Sequence, residues 1–578
     1  MAVSIVWMVL FVLVVFSIGY LGYSRYLAQF VELDESRETP AHKYEDGQEY
    51  VPAKKPVLLG HHYSSIAGGA PIVGPITAAV IWGWVPALLW IAIGNPLLGA
   101  VHDFVALSSS LRHEGKSIGY IIGEYVGERG KDMLLWFAFL TIILVVAVFA
   151  FVVGVVFEAY PAAATSSLLY IALALVFGVY LYQLDLPFVP GTVVFVAGVF
   201  ASVFVGIEYP IALTASTWVP IILVYAFIAS VLPVWTLLQP RDYLSSFLLY
   251  AGVGGAIVAV VVGSFLTNPV QSLTVSDSIG AYNGFFGTAN LPLFPVLFVT
   301  IACGTISGFH SLVSSGTTAK QLDKETDARV IGYGGMLGEG LLATLALSTV
   351  AIAGVTTGGG VGRALPNFAE GGGIILTSLG IPLAFGEVFM ALVMVSFLLT
   401  STDTALRLGR YMFEEIVGTP ETTIQEVGTN RYANAGFQCV IAYGLVASGT
   451  WSSLWPLFGG ANQLLAALAL LTATVWLANW DESKQLISTG VPMVLMSITT
   501  VLALLYLALV TNLSEKLLNP TWMANNGTMA VVSIVLQIVI AFVLIGLALS
   551  LARMGYENIQ KARGSGKPAA TDGGEQRE

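Results

Sequence analysis

Long apolar stretches separated by short polar connectors dominate the chain. Runs of about 18 to 25 apolar residues, each long enough to cross a hydrocarbon layer of roughly 30 Å as a helix, recur from Met1 to Ala552. They predict fifteen spans, at about 3–23, 64–82, 87–109, 134–158, 167–183, 189–207, 217–237, 244–266, 292–316, 332–356, 383–402, 433–450, 461–479, 491–511 and 529–552. Barrel strands would alternate in segments of about 10 residues, so a β-barrel is excluded. The first run has no basic flank before it and no small-residue cleavage site after it, and reads as a retained span. The fold class expected is an all-α polytopic membrane protein.

Composition agrees. Of 578 residues 56% are hydrophobic and 10% charged, against about 25% charged in soluble domains. The net charge of -11 offers no basic surface for nucleic acid. Cys303 and Cys439 lie in apolar runs and give no disulfide framework. Going round alternate loops, 22 of the 24 lysines and arginines fall on one face, with Arg363 and Lys516 on the other. Cytoplasmic loops retain Lys and Arg, so an odd span count places the N-terminus outside and the C-terminus inside a cell (inner or plasma) membrane. The polar tail is expected to be disordered.

Lipid-facing backbone must be hydrogen-bonded within its own helix, so Gly/Pro interruptions mark backbone buried in protein or lining water. The second span carries Gly68, Gly69, Pro71, Gly74 and Pro75, and the seventh carries Pro233 in mid-span and Pro240 at its end. These two spans are five apart and start on opposite faces, as expected of two inverted five-helix repeats with a midplane site between discontinuous helices. Repeat one would cover about 60–207 and repeat two about 217–402, within a core of 60–432. An N-terminal helix and cytoplasmic loop (1–59), peripheral helices (433–552) and the tail (553–578) complete the expected organisation.

The ninth span adds a hydroxyl stripe, Ser307, Ser311, Ser314, Ser315, Thr317 and Thr318. Back-bonding to helix carbonyls accounts for any single member. Together with the carbonyls of the broken helix, at Ala67 and Ala70, the oxygens of Ser311, Ser314 and Ser315 would suit a hard cation such as Na⁺.

Charges inside a membrane face a cavity or a partner. Asp103, beside His102, is the leading proton-linked carboxylate; an ion pair with Arg112 is the structural alternative. His61, His62 and His310 have the imidazole pKa that permits proton transfer. Glu339, Glu387 and Asp403 are further candidates, and Asp403 with Arg407 forms an i, i+4 pair. Arg241 and Asp242 stand where they could gate an inner mouth, and Trp82, Trp84, Trp90, Trp451 and Trp455 suggest interfacial belts. No HExxH or CxxCH spacing accompanies the histidines.

The segments GHHYSSIAGGAPIVGP, AVHDF, LLQPRDYLSSF, ACGTISGFHSLVSSGTTAKQL, IGYGGMLGE, TSTDTALRLGRY and LWPLFGGANQLLAALAL together resemble the carbon starvation protein A (CstA) family of transporters. The family's AGAGP is AGGAP here at 67–71, which leaves the backbone break intact. The resemblance implies a leucine-transporter type of inverted repeat and proton-driven import of small carbon sources, with peptides and pyruvate both attributed to the family. It implies no cofactor, no catalysis and no obligate protein partner. Carried onto this chain, it assigns Gly68, Gly69, Pro71, Gly74 and Pro75 to the broken substrate helix and Ser311, Ser314, Ser315 and Thr318 to the facing oxygens. The expected substrate site is Ser65, Ala67, Gly68, Gly69, Ala70, Pro71, Ser230, Ser307, His310 and Ser311. The expected proton-coupling set is Asp103, His102, His62, Glu339 and Asp403. The competing expectation is a membrane-embedded metal or haem protein using His61, His62, His102 and His310; passive conduction is the weakest, since nothing suggests a ring-like filter.

Overall fold

In hydrocarbon a backbone N–H finds no partner outside its own helix or a neighbouring protein segment, so the apolar runs fold as helices. The computed structural model describes residues 3–47, 49–233, 235–266, 272–352, 361–447, 451–480 and 485–564. Among them extended pairing is limited to isolated bridges, such as Ser4 with Thr274 and Ala53 with Leu322.

The helices that matter for the site are, in order, α1 (Val6–Val31), α2 (Lys55–Ile66), α3 (Ala70–Trp82), α4 (Trp84–Arg112), α5 (Glu128–Ala159) and α6 (Pro161–Tyr182). There follow α7 (Phe188–Glu208), α8 (Ala215–Val231), α9 (Leu238–Phe265), α10 (Gly308–Gly316), α11 (Glu325–Ala351) and α12 (Val361–Leu376). The last are α13 (Leu383–Val417), α14 (Arg431–Ala447), α15 (Trp451–Asn479), α16 (Leu486–Leu517) and α17 (Thr528–Gly564). α5 packs along α13, and α15 along α16 and α17.

Among the described residues eleven helices are long and apolar enough to cross a membrane, and the pair α2 and α3, bent by 47°, makes a twelfth if counted as one span. The chain is a multi-pass membrane protein. The remaining three of the fifteen expected spans take other forms. The seventh is the 17-residue α8, the twelfth the 17-residue α14, and the ninth is broken, with Ile301 and Ser307 out of helical geometry ahead of α10. Pro233 does not interrupt a helix as expected. Leu232 before it is extended, and α8 has already ended at Val231. The second discontinuous span is therefore the ninth rather than the seventh. The final helix runs on to Gly564, past the expected start of the tail at 553; residues 565–578 lie outside the described residues.

The two broken spans lie antiparallel. His62 meets Thr318, a methyl group on Gly304 would touch Pro71, and one on Gly74 would sit 2.5 Å from the Thr300 carbonyl oxygen. Rising numbers on one strand meet falling numbers on the other.

Loops that the basic residues assign to a common face do gather on one face. Arg37 and Arg112 reach Glu325 at 3.0 and 2.9 Å, Lys55 reaches Asp327 at 2.5 Å, Lys320 reaches Glu49 at 2.8 Å, and Lys324 reaches Glu35 at 2.5 Å. At this end Asn558 of α17 donates to the Tyr125 carbonyl at 2.6 Å.

Candidate functional site

Two interruptions frame the site. In the first, Ala67 leaves helical geometry (φ −77°, ψ 73°) and α3 restarts at Ala70 with Pro71 in its first turn, where the missing N–H costs nothing. Ser401 of α13 donates to the Ser65 carbonyl at 3.2 Å, tying the last turn of α2 to the scaffold. Close packing demands glycine here: a methyl group on Gly69 would lie 2.5 Å from Leu398.

In the second, Gly304 adopts φ +87°, a left-handed conformation that glycine accepts without strain. Its backbone groups are satisfied by side chains from elsewhere. Asn95 of α4 donates to the Gly304 carbonyl at 2.9 Å and to Met336 at 2.8 Å. The Gly304 N–H donates to Glu339 Oε2 at 2.9 Å. Asn462 of α15 accepts from the Phe309 N–H at 2.9 Å and donates to Ser307 Oγ at 2.9 Å. Buried backbone released from a helix needs such partners.

A chain of ionisable groups crosses this second break. His102 Nδ1 donates to Asp103 Oδ1 at 2.7 Å, and His310 Nδ1 donates to Asp103 Oδ2 at 3.0 Å. On its far side His310 Nε2 lies 3.4 Å from Glu339 Oε1. All four side chains are fully buried. Of the expected proton-coupling set, Asp103, His102 and Glu339 thus lie together, joined by His310, which was expected in the substrate site, and Asp103 pairs with histidine rather than with Arg112. Arg112 binds Glu325 and the carbonyls of Val31 and Glu32 instead, because α4 ends at the polar face. His62 Nδ1 meets Thr318 Oγ1 at 2.9 Å, at the end of the hydroxyl stripe.

Asp403 belongs to a separate centre. It pairs with Arg241 rather than Arg407, and Arg241 also holds Asp242 at 2.6 Å and donates to Tyr225 at 2.6 Å. Asp242 accepts from His61 Nδ1 at 2.9 Å and from Thr400 at 3.2 Å. Arg407 caps the carbonyls of Ala229 and Leu232, where α8 ends. Arg241 and Asp242 are therefore fully buried and do not line an open mouth.

The remaining expected residues separate into two groups. Ser65, Ala67, Gly68, Gly69, Ala70, Pro71, Ser307 and Ser311 are buried at or beside the two breaks. Ser230 is also buried but lies away from both breaks, in the last turn of α8, with its carbonyl held by Arg410 at 2.6 Å. Within the stripe, Ser311 and Ser315 donate to the carbonyls of Gly308 and Ser311, both at 2.7 Å, while the buried Ser314 hydroxyl has no partner. Trp82, Trp90 and Trp455 are buried and form no interfacial belt; Trp82 and Trp90 donate to the carbonyls of Leu291 and Ile301, bracing the approach to the second break. The Trp451 side chain lies outside the described residues.

Sequence reasoning missed Asn95, Asn462, Tyr225 and Thr400. An amide inside an apolar run was the available signal, since it must find a partner when buried. The four histidines do not form one ligand cluster. The group of metal-ligand type found among the described residues is Cys303, His310 and Glu339, whose ligand atoms lie within 4.8 Å of one another.

The family described as carbon starvation protein CstA matches residues 4–357 and 351–503. The chain is 34% identical to the peptide transporter CstA of Helicobacter pylori over 569 residues, covering 86% of this chain and 81% of that one. It is 34% identical to the pyruvate/proton symporter BtsT of Escherichia coli, covering 87% and 81%. A solved manganese transporter of Eremococcus coleocola is 12% identical with a TM-score of 0.48, covering 89% of this chain and 99% of that one. On the strength of the family match and the Helicobacter pylori and Escherichia coli relatives, the chain belongs to the carbon starvation protein CstA family.

Proposed function

We propose that the protein is a proton-coupled secondary transporter that imports a small carbon source, a peptide or a pyruvate-like carboxylate, by alternating access. One observation carries the proposal: His310 sits between two buried carboxylates, Asp103 and Glu339, and Glu339 also holds the unwound backbone at Gly304. A proton moving along this chain changes how strongly Glu339 accepts from the Gly304 N–H, because a carboxylate is a stronger acceptor than a carboxylic acid. Proton occupancy is thereby linked to the geometry of a broken helix.

The substrate site of this reading lies between the breaks at 67–69 and 301–307. A substrate carboxylate would meet the N–H groups of Gly69 and Ala70 at the start of α3, since Ile72 and Val73 already donate to the Gly69 carbonyl. Two antiparallel discontinuous spans support the inverted-repeat architecture, with the second repeat's broken helix at 293–316. The basic face, carrying 22 of 24 lysines and arginines, is taken as cytoplasmic, with the N-terminus outside, the C-terminus inside and the plasma membrane as location. Na⁺ is the alternative coupling ion, at Ala67, Ala70, Ser311, Ser314 and Ser315.

Uptake of labelled pyruvate and of a labelled dipeptide into proteoliposomes, under an inward proton gradient with and without Na⁺, tests the proposal. Gradient-driven accumulation of one substrate, lost in Asp103→Asn, is the expected result; no accumulation of either by folded protein overturns it. A second reading, a membrane-embedded metal protein, draws on the Cys303, His310 and Glu339 cluster. Metal analysis and an absorption spectrum of the purified protein separate the two.

A further inference from the structure

Between α15, α16 and α17 lies a cavity of about 190 Å³ that neither break uses. Its polar wall is Thr511, Asn512 and Lys516 of α16 with Gln537 of α17, and its apolar wall is Leu457, Leu507, Ala508 and Ala541. Depth follows from α17, which reaches the face of the ion-paired loops at Asn558, the donor to the Tyr125 carbonyl. A helix rises about 1.5 Å per residue, so Gln537 stands about 32 Å back along α17, at the opposite edge of a hydrocarbon layer roughly 30 Å thick. The cavity is therefore at headgroup depth on the face away from those loops. Leu509 of α16 and Leu536 of α17 are exposed, so both helices border lipid there.

Its chemistry is one-sided. Over Leu507–Leu517 α16 widens into π-helical geometry, a form frequent at functional sites, and positions four apart stay near one face: Leu507 with Thr511, and Ala508 with Asn512 and Lys516. A lysine at a membrane edge ordinarily extends into water. Lys516 instead folds back and donates to Asn512 Oδ1 at 2.9 Å, and Asn512 donates to Gln537 Oε1 at 3.3 Å. An ammonium has three donors, and this contact uses one. Among the described residues Lys516 makes no ion pair; the charge within its reach is its neighbour Glu515, which is exposed. The buried Thr511 Oγ1 also has no hydrogen-bond partner among them. A half-buried ammonium and an unsatisfied hydroxyl on one wall call for an oxyanion.

We propose that this cavity binds the phosphate of an anionic phospholipid in the leaflet opposite the ion-paired loops. The Lys516 ammonium and the Thr511 hydroxyl donate to the phosphate oxygens, and Leu457, Leu507, Ala508 and Ala541 receive the glycerol and first methylenes. A zwitterionic lipid is disfavoured, because its own cation neutralises the phosphate that Lys516 would hold. The seat also has a consequence for the second break. α15 supplies Leu457 to the cavity and, one to two turns on, Asn462 to Ser307 and Gln463 to the Phe298 carbonyl. A lipid held here ties α16 and α17 to the helix that satisfies the unwound backbone.

Native mass spectrometry of the detergent-purified chain, titrated with phosphatidylglycerol or phosphatidylcholine, tests the proposal. The parent should hold one phosphatidylglycerol more tightly than any phosphatidylcholine, and Lys516→Gln should weaken that site about ten-fold or more. Lys516→Arg should retain it. Lipids held by the basic face are common to all variants, and Lys55→Gln, a change on that face, should leave the tight site intact. Equal retention of phosphatidylglycerol by the parent and Lys516→Gln overturns the proposal, as does a parent that holds both lipids equally. Inorganic phosphate is the third arm: if it raises the melting temperature of the delipidated parent as much as phosphatidylglycerol does, and fails to do so in Lys516→Gln, the ligand is the free anion and the lipid assignment falls. Should Lys516→Gln fail to fold, Ala508→Leu, which fills the apolar wall and keeps the charge, replaces it with the same expected loss; retention undiminished there overturns the proposal.

Discussion

Glu339 accepts the backbone N–H of Gly304 at 2.9 Å through one oxygen and faces His310 at 3.4 Å through the other. A single buried carboxylate thus touches both the unwound main chain and the imidazole that shares Asp103. Glu339→Gln retains an oxygen to accept from Gly304 and loses the charge. Gradient-driven accumulation should fall by about 10²-fold or more, while the melting temperature of the detergent-solubilised protein stays near the parent value. Unaltered accumulation would remove Glu339 from the proton path.

The Arg241–Asp403 pair joins residues 162 positions apart with no water access. Removing Asp403 leaves Arg241 with Asp242 as its remaining carboxylate and takes a counter-charge from a buried cation, where breaking a buried pair costs up to about 3–5 kcal/mol. Asp403→Ala should therefore depress thermal stability sharply, whereas a change at the exposed Arg553–Glu557 pair should have almost no effect, as surface pairs contribute about 0–1 kcal/mol. Melting curves of both variants decide this, and a stable Asp403→Ala protein would show that Asp242 alone suffices to hold Arg241.

Gly74 lets the two discontinuous spans touch main chain to main chain. In Gly74→Ala the new methyl group would lie 2.5 Å from the Thr300 carbonyl oxygen and 3.1 Å from Ile301 Cα, both backbone. Overpacking of this kind costs about 1–3 kcal/mol. The expected outcome is reduced stability together with slowed substrate exchange, measured on the same preparation. Gly22, where an added methyl meets nothing, is the control that should behave as the parent.

The polar strap at residues 34–53 should hold over a wide middle range of pH. The Ser36 backbone N–H and hydroxyl bonded to Asp34 hold its carboxyl below the usual value, and the Lys324 ammonium does the same for Glu35. Burial pushes the Lys320 ammonium down, and the Glu49 carboxylate bonded to it more than reverses this, leaving it raised. Depressed carboxylates contribute above their ordinary pKa near 4 and lose the contribution as pH falls through the lowered values. A raised lysine contributes below its ordinary pKa near 10 and loses it as pH rises further. Hydrogen exchange or limited proteolysis of the strap should be constant from about pH 5 to pH 10 and accelerate outside that range. Acceleration beginning inside that range would show that these three contacts do not control the strap.

Much of this protein could be read along its length. Apolar run length determined the helices, because a membrane-embedded backbone has no alternative, and eleven of the expected spans appear as long apolar helices. The distribution of lysine and arginine identified loops that do share a face. Gly68, Gly69 and Pro71 marked the first break, where the two glycines let Phe149 and Leu398 pack close to the backbone and Pro71 stands in the first turn of α3. The second break was less legible: ACGTISG contains no proline, and its unwinding depends on Asn95, Glu339 and Asn462 arriving from other helices to satisfy freed groups. The long-range ion pairs were decided by tertiary structure. Sequence proximity suggested Asp103 with Arg112 and Asp403 with Arg407, yet the partners are His310 and Arg241, 207 and 162 positions away. A helix fixes only which residues share its own face, whereas a buried charge is satisfied by whatever another helix brings to it, and that depends on how the helices pack.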